Sequence, residues 1–431
     1  PFKTPAMRAL LAAFFSIASV LVAQPVSVRI IDEGGGRYVL TRDGRPYEIR
    51  GVGGDTHLEL ARELGATTIR TWGIRQLEPK ANERPLLDRC EALGLTVMAG
   101  IWVQHERHGF NYDDPVQVQR QRDYVRASVR TYKNHPALLL WGLGNEMENP
   151  SLDGTDPRIW KELEVLARIV REEDPAHPVV TVIAGAGAAK VRSLAVHYPS
   201  LELLGVNSYA TARHVAKELR EAGWKKPFLL TEFGPSGHWE VPATPWGAPI
   251  EPSGRDKADA YQSTHATVLR DGAGRCLGTF AFVWGHKQEA TATWYGLFLP
   301  GGEKLPAVDA MSRAWTGRWP KNRSPQITRL DASFSQKTIA PETEARVTVS
   351  ATDADHDDLS YEWQIVEEST DRKTGGDKEA APPAVPGCII QADGPVLRLR
   401  APSKPGPYRV FCIVRDAQGG ADAANFPFLV K

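Results

Sequence analysis

Between residues 47 and 319, short β-rich runs alternate with stretches whose apolar positions recur at helical spacing. "YEIRGVGG" precedes a helical stretch at 57–64 and then "TTIRTWG"; a helix at 85–93 leads through Gly94 into "LTVMAGIWV". A helix over 115–132 is followed by "ALLLWGLGNE", and one over 160–173 by "PVVTVIAG". Helices over 188–196, 214–222 and 257–270 alternate with "LELLGVNSY", "PFLLTEFG" and "CLGTFAFVWG", and a helix over 308–315 closes the series. Eight strand–helix units predict an α/β fold, a parallel sheet closed into a (β/α)8 TIM barrel. The 273 residues of 47–319 are near the ~250 typical of that fold. An open doubly wound sheet is the competitor. It is disfavoured because no first turn carries G-x-G-x-x-G, and the Gly-rich "AGAGAAK" at 184–190 lacks that pattern.

The pattern changes on both sides of the barrel. Residues 25–46 alternate apolar and polar positions around Asp43-Gly44, which predicts a β-hairpin that plugs the barrel's lower end or lies beside it. Residues 320–326 are a polar, Pro-containing linker. Residues 327–431 carry short alternating strands between Pro and Gly clusters, the pattern of a small all-β, immunoglobulin-like sandwich. Ahead of all this, "MRALLAAFFSIASVLVAQ" reads as a signal peptide, so residues 1–24 are expected to be a signal peptide with an upstream extension. A secreted or periplasmic protein with no membrane attachment after cleavage follows from that reading.

Composition narrows the partners. Lys+Arg and Asp+Glu both number 52, so no basic field points to nucleic acid. Twelve Trp offer flat stacking surfaces. Cys90, Cys276, Cys388 and Cys412 show no zinc-like spacing, and Cys388 with Cys412 form the candidate disulfide pair. His57, His105 and His238 lack mutual ligand spacing, so neither a metal nor a cofactor is expected. In "ATDADHDDLSYEW", Asp353, Asp355, Asp357 and Asp358 form either a solvated turn or a calcium loop without the EF-hand Gly and Glu.

Barrel enzymes keep their chemistry at the C-terminal ends of the strands. Those ends hold Arg70 and Trp72 on the second strand, Trp102 on the third, and Asn145-Glu146 on the fourth. Asn207 and Tyr209 end the sixth, Glu232 the seventh and Trp284 the eighth. Glu232 follows Glu146 by 86 residues, three units on. Two carboxylates facing each other across a barrel mouth suit glycosidic bond cleavage, one donating a proton to the leaving oxygen and the other attacking the anomeric carbon. Arg70 near Glu232 would hold that group ionised, while apolar neighbours would help keep Glu146 protonated.

"WGLGNE", "LLTEFG", "TIRTW", "GVNSY" and "FAFVWG" resemble the strand ends of glycoside hydrolase clan A. The likeness is closest to the catalytic barrel of family 2, including the entry phrase "RDGRPYEIRGVGG". This resemblance implies that Glu146 is the general acid/base and Glu232 the nucleophile of a retaining β-glycosidase. It also implies that Asn145 binds the sugar 2-hydroxyl, Arg70 and Tyr209 contact the nucleophile, and Trp284 floors the subsite before the scissile bond. The long loop after the seventh strand, with His238, Trp239 and Trp246, is expected to be a substrate-binding wall. Lys287, Gln288 and Glu289 are expected polar contacts on a second wall. "D-x-L-S-Y" in the C-terminal module resembles PKD and cadherin-like modules of secreted bacterial enzymes. A β-linked, glucan-like saccharide is the expected substrate. A transglycosylase using the same residues, or a non-catalytic carbohydrate-binding protein, remains open at this point, and oligomeric state is unspecified.

Overall fold

The computed structural model describes residues 26–148, 153–373 and 375–431. The segment read as a signal peptide lies outside them. Among the described residues no helix is long and apolar enough to cross a membrane.

Eight parallel strands close into a barrel: β1 (Ile49–Gly53), β2 (Thr68–Arg70), β3 (Thr96–Ile101), β4 (Leu138–Asn145), β5 (Val179–Ala184), β6 (Leu203–Asn207), β7 (Phe228–Phe233) and β8 (Cys276–Ala281). Each pairs with its sequence neighbour, and β8 pairs with β1 through Gly278–Ile49 to Ala281–Val52. Around them run α1 (Leu58–Glu63), α2 (Leu86–Leu93), α3 (Pro115–Tyr132), α4 (Pro157–Glu173), α5 (Ala188–His197), α6 (Val215–Glu221), α7 (Gly254–Asp271) and α8 (Pro306–Thr316). The TIM barrel expected from the alternation is therefore present. The helices start where the sequence supplies caps. Asp114 and Asp156 accept from the first turns of α3 and α4, each with Pro at its start, and Ser253 forms a capping box with Asp256 at α7. Caps explain why α4 and α7 begin one turn earlier than the apolar periodicity alone indicates.

The core has two layers. Residues between barrel and helices, such as Trp160, Leu166 and Met311, form the larger one. Inside the lower barrel, Met98, Leu140, Val180, Leu203, Leu229 and Phe280 pack with Val28 and Leu40 of the N-terminal segment. That segment is a three-stranded antiparallel sheet (Val28–Gly34, Arg37–Arg42 and Arg45–Pro46), tied to the barrel by Val28 N–H to Ala176 and Tyr38 N–H to Gly274. Its main turn lies at Gly34–Gly36; Asp43-Gly44 only joins the second strand to the two-residue third.

The C-terminal module has two four-stranded sheets. One orders Gln326–Asp331, Glu344–Thr352, Val396–Arg400 and Ile389–Asp393; the other orders Thr338–Ile339, Ala421–Val430, Gly406–Arg415 and Ser360–Glu367. Trp363, Tyr408, Phe426 and Phe428 fill the space between them. The expected Cys388–Cys412 disulfide is absent: both cysteines are free and buried. Cys412 sits on one sheet and Cys388 just before a strand of the other, so each packs as a small apolar group. Burial pushes the Cys412 thiol up to about 12. In the acidic loop, Asp353, Asp357 and Asp416 bring carboxylate oxygens within 4.8 Å of one another, while Asp355 instead accepts from the Arg323 N–H.

The segment read as a linker is pinned rather than free. Ser324 N–H donates to Asp309 at 2.6 Å and Asn322 to Asp416 at 2.9 Å. Further polar ties seat the sandwich on the barrel. Arg409 is buried and donates to Glu368, Asn425 and the Pro249 carbonyl; Glu251 binds Lys257, Thr291 and Asn425; Arg415 binds Glu303 at 2.6 Å.

Candidate active site

A cleft of about 780 Å³ opens at the C-terminal ends of the barrel strands. Its floor is a hydrogen-bonded network with Arg70 at the centre. Arg70, nearly fully buried at the end of β2, donates Nη1 to Glu232 Oε1 at 2.9 Å and to the Thr231 carbonyl at 2.7 Å. Its Nη2 donates to Asn145 Oδ1 at 2.7 Å. Asn207 Nδ2 donates to Glu146 Oε1 at 2.8 Å and to Asn145 Oδ1 at 3.1 Å. The strand ends of β2, β4, β6 and β7 are thus locked together, with the two glutamates as the acceptors that face the cleft.

Local backbone chemistry aims these groups. Gly100 on β3 has no Cβ; one placed there would lie 2.3 Å from the Thr71 carbonyl and 2.4 Å from the Trp72 backbone. That close approach seats Trp72, whose Nε1 donates to Glu232 Oε1 at 2.8 Å. Tyr209 donates its hydroxyl to Glu232 Oε2 at 2.9 Å, so both oxygens of Glu232 accept from fixed donors. Burial, and then the charge of Glu232, raise the Tyr209 pKa well above its ordinary value and keep it a donor. At the end of β4, Gly144 (φ 74) and Glu146 (φ 49) both take left-handed backbone, which turns the chain out of the strand. Two residues on, the buried Glu148 pairs with Lys190 at 2.8 Å and accepts from the Ala184 N–H at 2.7 Å, pinning this turn to β5.

The two glutamates sit in different electrostatic settings. Desolvation by the cleft walls, followed by repulsion from Glu232, pushes Glu146 up to about 7. Glu232 instead makes a direct ion pair with Arg70. A protonated acid beside a carboxylate held by three donors is the division of labour that two-carboxylate chemistry uses.

Most of the residues singled out in the sequence line this cleft: Trp72, Trp102, Asn145, Glu146, Asn207, Tyr209, Glu232, His238, Trp239 and Lys287, with Glu289 beside Lys287. Arg70 lies directly beneath. Three do not reach it. Trp284 is buried outside the barrel; β8 ends at Ala281, the Trp284 N–H bonds to Gly53, and its ring packs against Phe298 and Trp315. Phe282 and Val283 line the cleft in its place. Trp246 rides a turn closed by Thr244 N–H to Ala248, which carries it toward the sandwich, where Arg372 donates to the Gly247 carbonyl. Gln288 faces a separate cavity of about 330 Å³ between barrel and sandwich. The alternation of β8 gave the signal for Phe282, two residues after the inward Phe280. Nothing in the sequence signalled that Gly375, Gly376 and Asp377 of the sandwich would line the same cleft.

Residues 82–238 match the family model described as glycosyl hydrolases family 2, TIM barrel domain. The barrel is similar to the family 2 glycosyl hydrolase barrel. A GH2 β-galacturonidase from Eisenbergiella tayi, solved with galacturonate, is similar at 18% identity and a TM-score of 0.50, over 68% of this chain and 54% of that one. A β-D-glucuronidase from Dictyoglomus thermophilum is similar at 15% identity and a TM-score of 0.51, again over 68% and 54%. At these identities the likeness to solved structures is one of fold, and the chain spans about half the length of these two proteins. The matched stretch includes Glu146 and Glu232.

Proposed function

We propose that the protein is a retaining β-glycoside hydrolase in which Glu146 is the general acid/base and Glu232 the nucleophile. The observation that carries this reading is the Arg70–Asn145–Asn207 network, which holds both glutamates at one cleft floor in opposite settings. In the first step Glu146 gives its proton to the departing glycosidic oxygen while a Glu232 oxygen attacks the anomeric carbon, forming a glycosyl ester. In the second, Glu146, now a carboxylate, takes a proton from water, which displaces Glu232. Proton and leaving group balance across the two steps, and Glu146 is restored as an acid. Trp102 and Trp239 supply flat faces for sugar rings. Cleft cations are matched by carboxylates, Lys287 by Glu289 at 2.9 Å and Lys373 by Asp371 at 2.7 Å, which favours a neutral, glucan-like sugar over a uronide. For localisation and the sandwich's ancestry, the apolar run near the chain's start favours export and "D-x-L-S-Y" favours a PKD-like module.

The test is turnover on 4-nitrophenyl β-glucoside, β-galactoside, β-glucuronide and β-galacturonide and on β-linked glucan oligosaccharides. Glu146→Gln and Glu232→Gln are each expected to lose about 10²–10⁴-fold in kcat on the natural linkage. Full activity in either variant removes that residue from its role. Binding without turnover in the unaltered protein favours a carbohydrate-binding protein, and early transfer to sugar acceptors favours a transglycosylase.

A further inference from the structure

Among the described residues, the sandwich reaches the catalytic cleft through residues 371–373 and 375–379. Asp377 accepts from His108 Nε2 at 3.0 Å and pairs with Arg107 at 3.8 Å, both on the loop after β3. The neighbouring Gly376 carbonyl accepts from Lys287 Nζ at 2.9 Å, on the loop after β8. The carboxylate of Glu379, only 3% exposed, takes the Ala290 N–H at 2.7 Å and the Lys373 N–H at 2.9 Å. One short stretch of the C-terminal module therefore bridges barrel loops that flank β1 and β2. Those are the strands whose neighbours, Arg70 and Trp72, grip Glu232.

The opposite rim is different. Beyond β5 and β6 the cleft is lined by Gly185, Ser208, Tyr209 and Thr211 and by Trp239 and Glu240 of the loop after β7, whose Glu240 accepts from the Ala210 N–H. Arg70 of β2 and Trp72 just after it both donate to Glu232 Oε1, and the glycone is assigned to that side of the carboxylate, under the bridged loops. Glu146, at the end of β4, is tied to β6 through Asn207, and its leaving group is assigned to that side. The sandwich thus walls the cleft on the side assigned to the glycone, tied to the loops after β3 and β8.

We infer that the sandwich residues Lys373, Gly375, Gly376 and Asp377, backed by Glu379, form the end wall of the glycone pocket and limit it to the terminal unit of a β-linked chain. The module is then a specificity-determining part of the site, not a spacer or a remote anchor. The inference rests on the hydrolase reading above for its substrate. Its geometry, a wall tied to loops after β3 and β8, stands on contacts that do not involve either glutamate.

Two variants of the full chain test it: replacement of residues 372–378 by Gly-Ser-Gly, and Asp377→Ala, which releases the wall from His108 and Arg107 while leaving the fold's other anchors. The probes are 4-nitrophenyl β-glucoside and cellohexaose. The unaltered protein is expected to shorten cellohexaose one unit at a time. The shortened variant is expected to raise KM for the nitrophenyl glucoside about tenfold with kcat little changed, because uniform binding is what a wall supplies. It is also expected to release internal fragments from cellohexaose, with Asp377→Ala intermediate. Unchanged KM and an unchanged product ladder in both folded variants overturn the inference. If the unaltered protein turns over neither probe, the glucan-like substrate reading fails by itself. The wall is then judged by calorimetric binding of the same probes, where equal affinity in variants and parent overturns it.

Discussion

In the proposed mechanism Glu146 is the acid, and its environment makes a pH forecast. Its pKa, raised to about 7 first by desolvation and then by Glu232, means that it is protonated below that value and ionised above it. The glycosylation step needs the protonated form, so kcat/KM should fall as pH rises through about 7, tenfold per unit. The Glu146→Gln variant should lose this basic limb, and a limb that survives the substitution removes Glu146 from the acid role. Both glutamates were legible in the sequence because catalytic groups on this fold stand at strand ends, and strand ends can be counted. The electrostatic difference between them was legible only in outline. Desolvation depends on walls contributed by distant loops, and no local pattern announces it.

At the scale of elements, the alternation of strands and helices was enough to specify the barrel, and errors gathered where chain leaves a strand. Trp284 shows why. Aromatic residues near a strand's end can point into the mouth or fold back over the outer layer, and β8 stops three residues before Trp284. The two outcomes have opposite signatures. Trp284→Phe should cost about 1–3 kcal/mol of stability, read by denaturant unfolding, with KM unchanged. Trp239→Ala, at a side chain 61% exposed on the cleft rim, should leave stability alone and raise KM. A raised KM in the Trp284 variant would return that residue to the cleft. Trp246 and Gln288 were misjudged for a related reason. Both lie in long loops, whose direction is set by contacts with the sandwich, more than 60 residues away in sequence.

At the scale of the whole molecule, barrel and sandwich are joined through buried polar groups rather than a tether. Arg409 has about 1% of its surface exposed and holds Glu368, Asn425 and the Pro249 carbonyl. Its removal would strand the buried Glu368 carboxylate, a loss of about 3–5 kcal/mol. Scanning calorimetry should therefore show one cooperative transition for the parent, shifted down in Arg409→Ala. Two separate transitions in the parent would mean that the modules fold independently. The pinned segment 320–326 shows why composition misleads here: Pro, Asn and Ser are the residues of flexible linkers, yet the Ser324 backbone N–H holds Asp309 of the barrel and the Asn322 amide holds Asp416 of the sandwich.

The bridging segment at 371–379 also has a consequence for order in time. A chain made from its N-terminus completes β7 and β8 well before Asp377 and Glu379 emerge, because nearly 100 residues separate Ala281 from them. The barrel can close, and Glu146 and Glu232 can meet, while the mouth is still unwalled on one side. On the inference above, that side of the pocket is set by a module synthesised after the barrel, so selectivity matures after the two glutamates are in place.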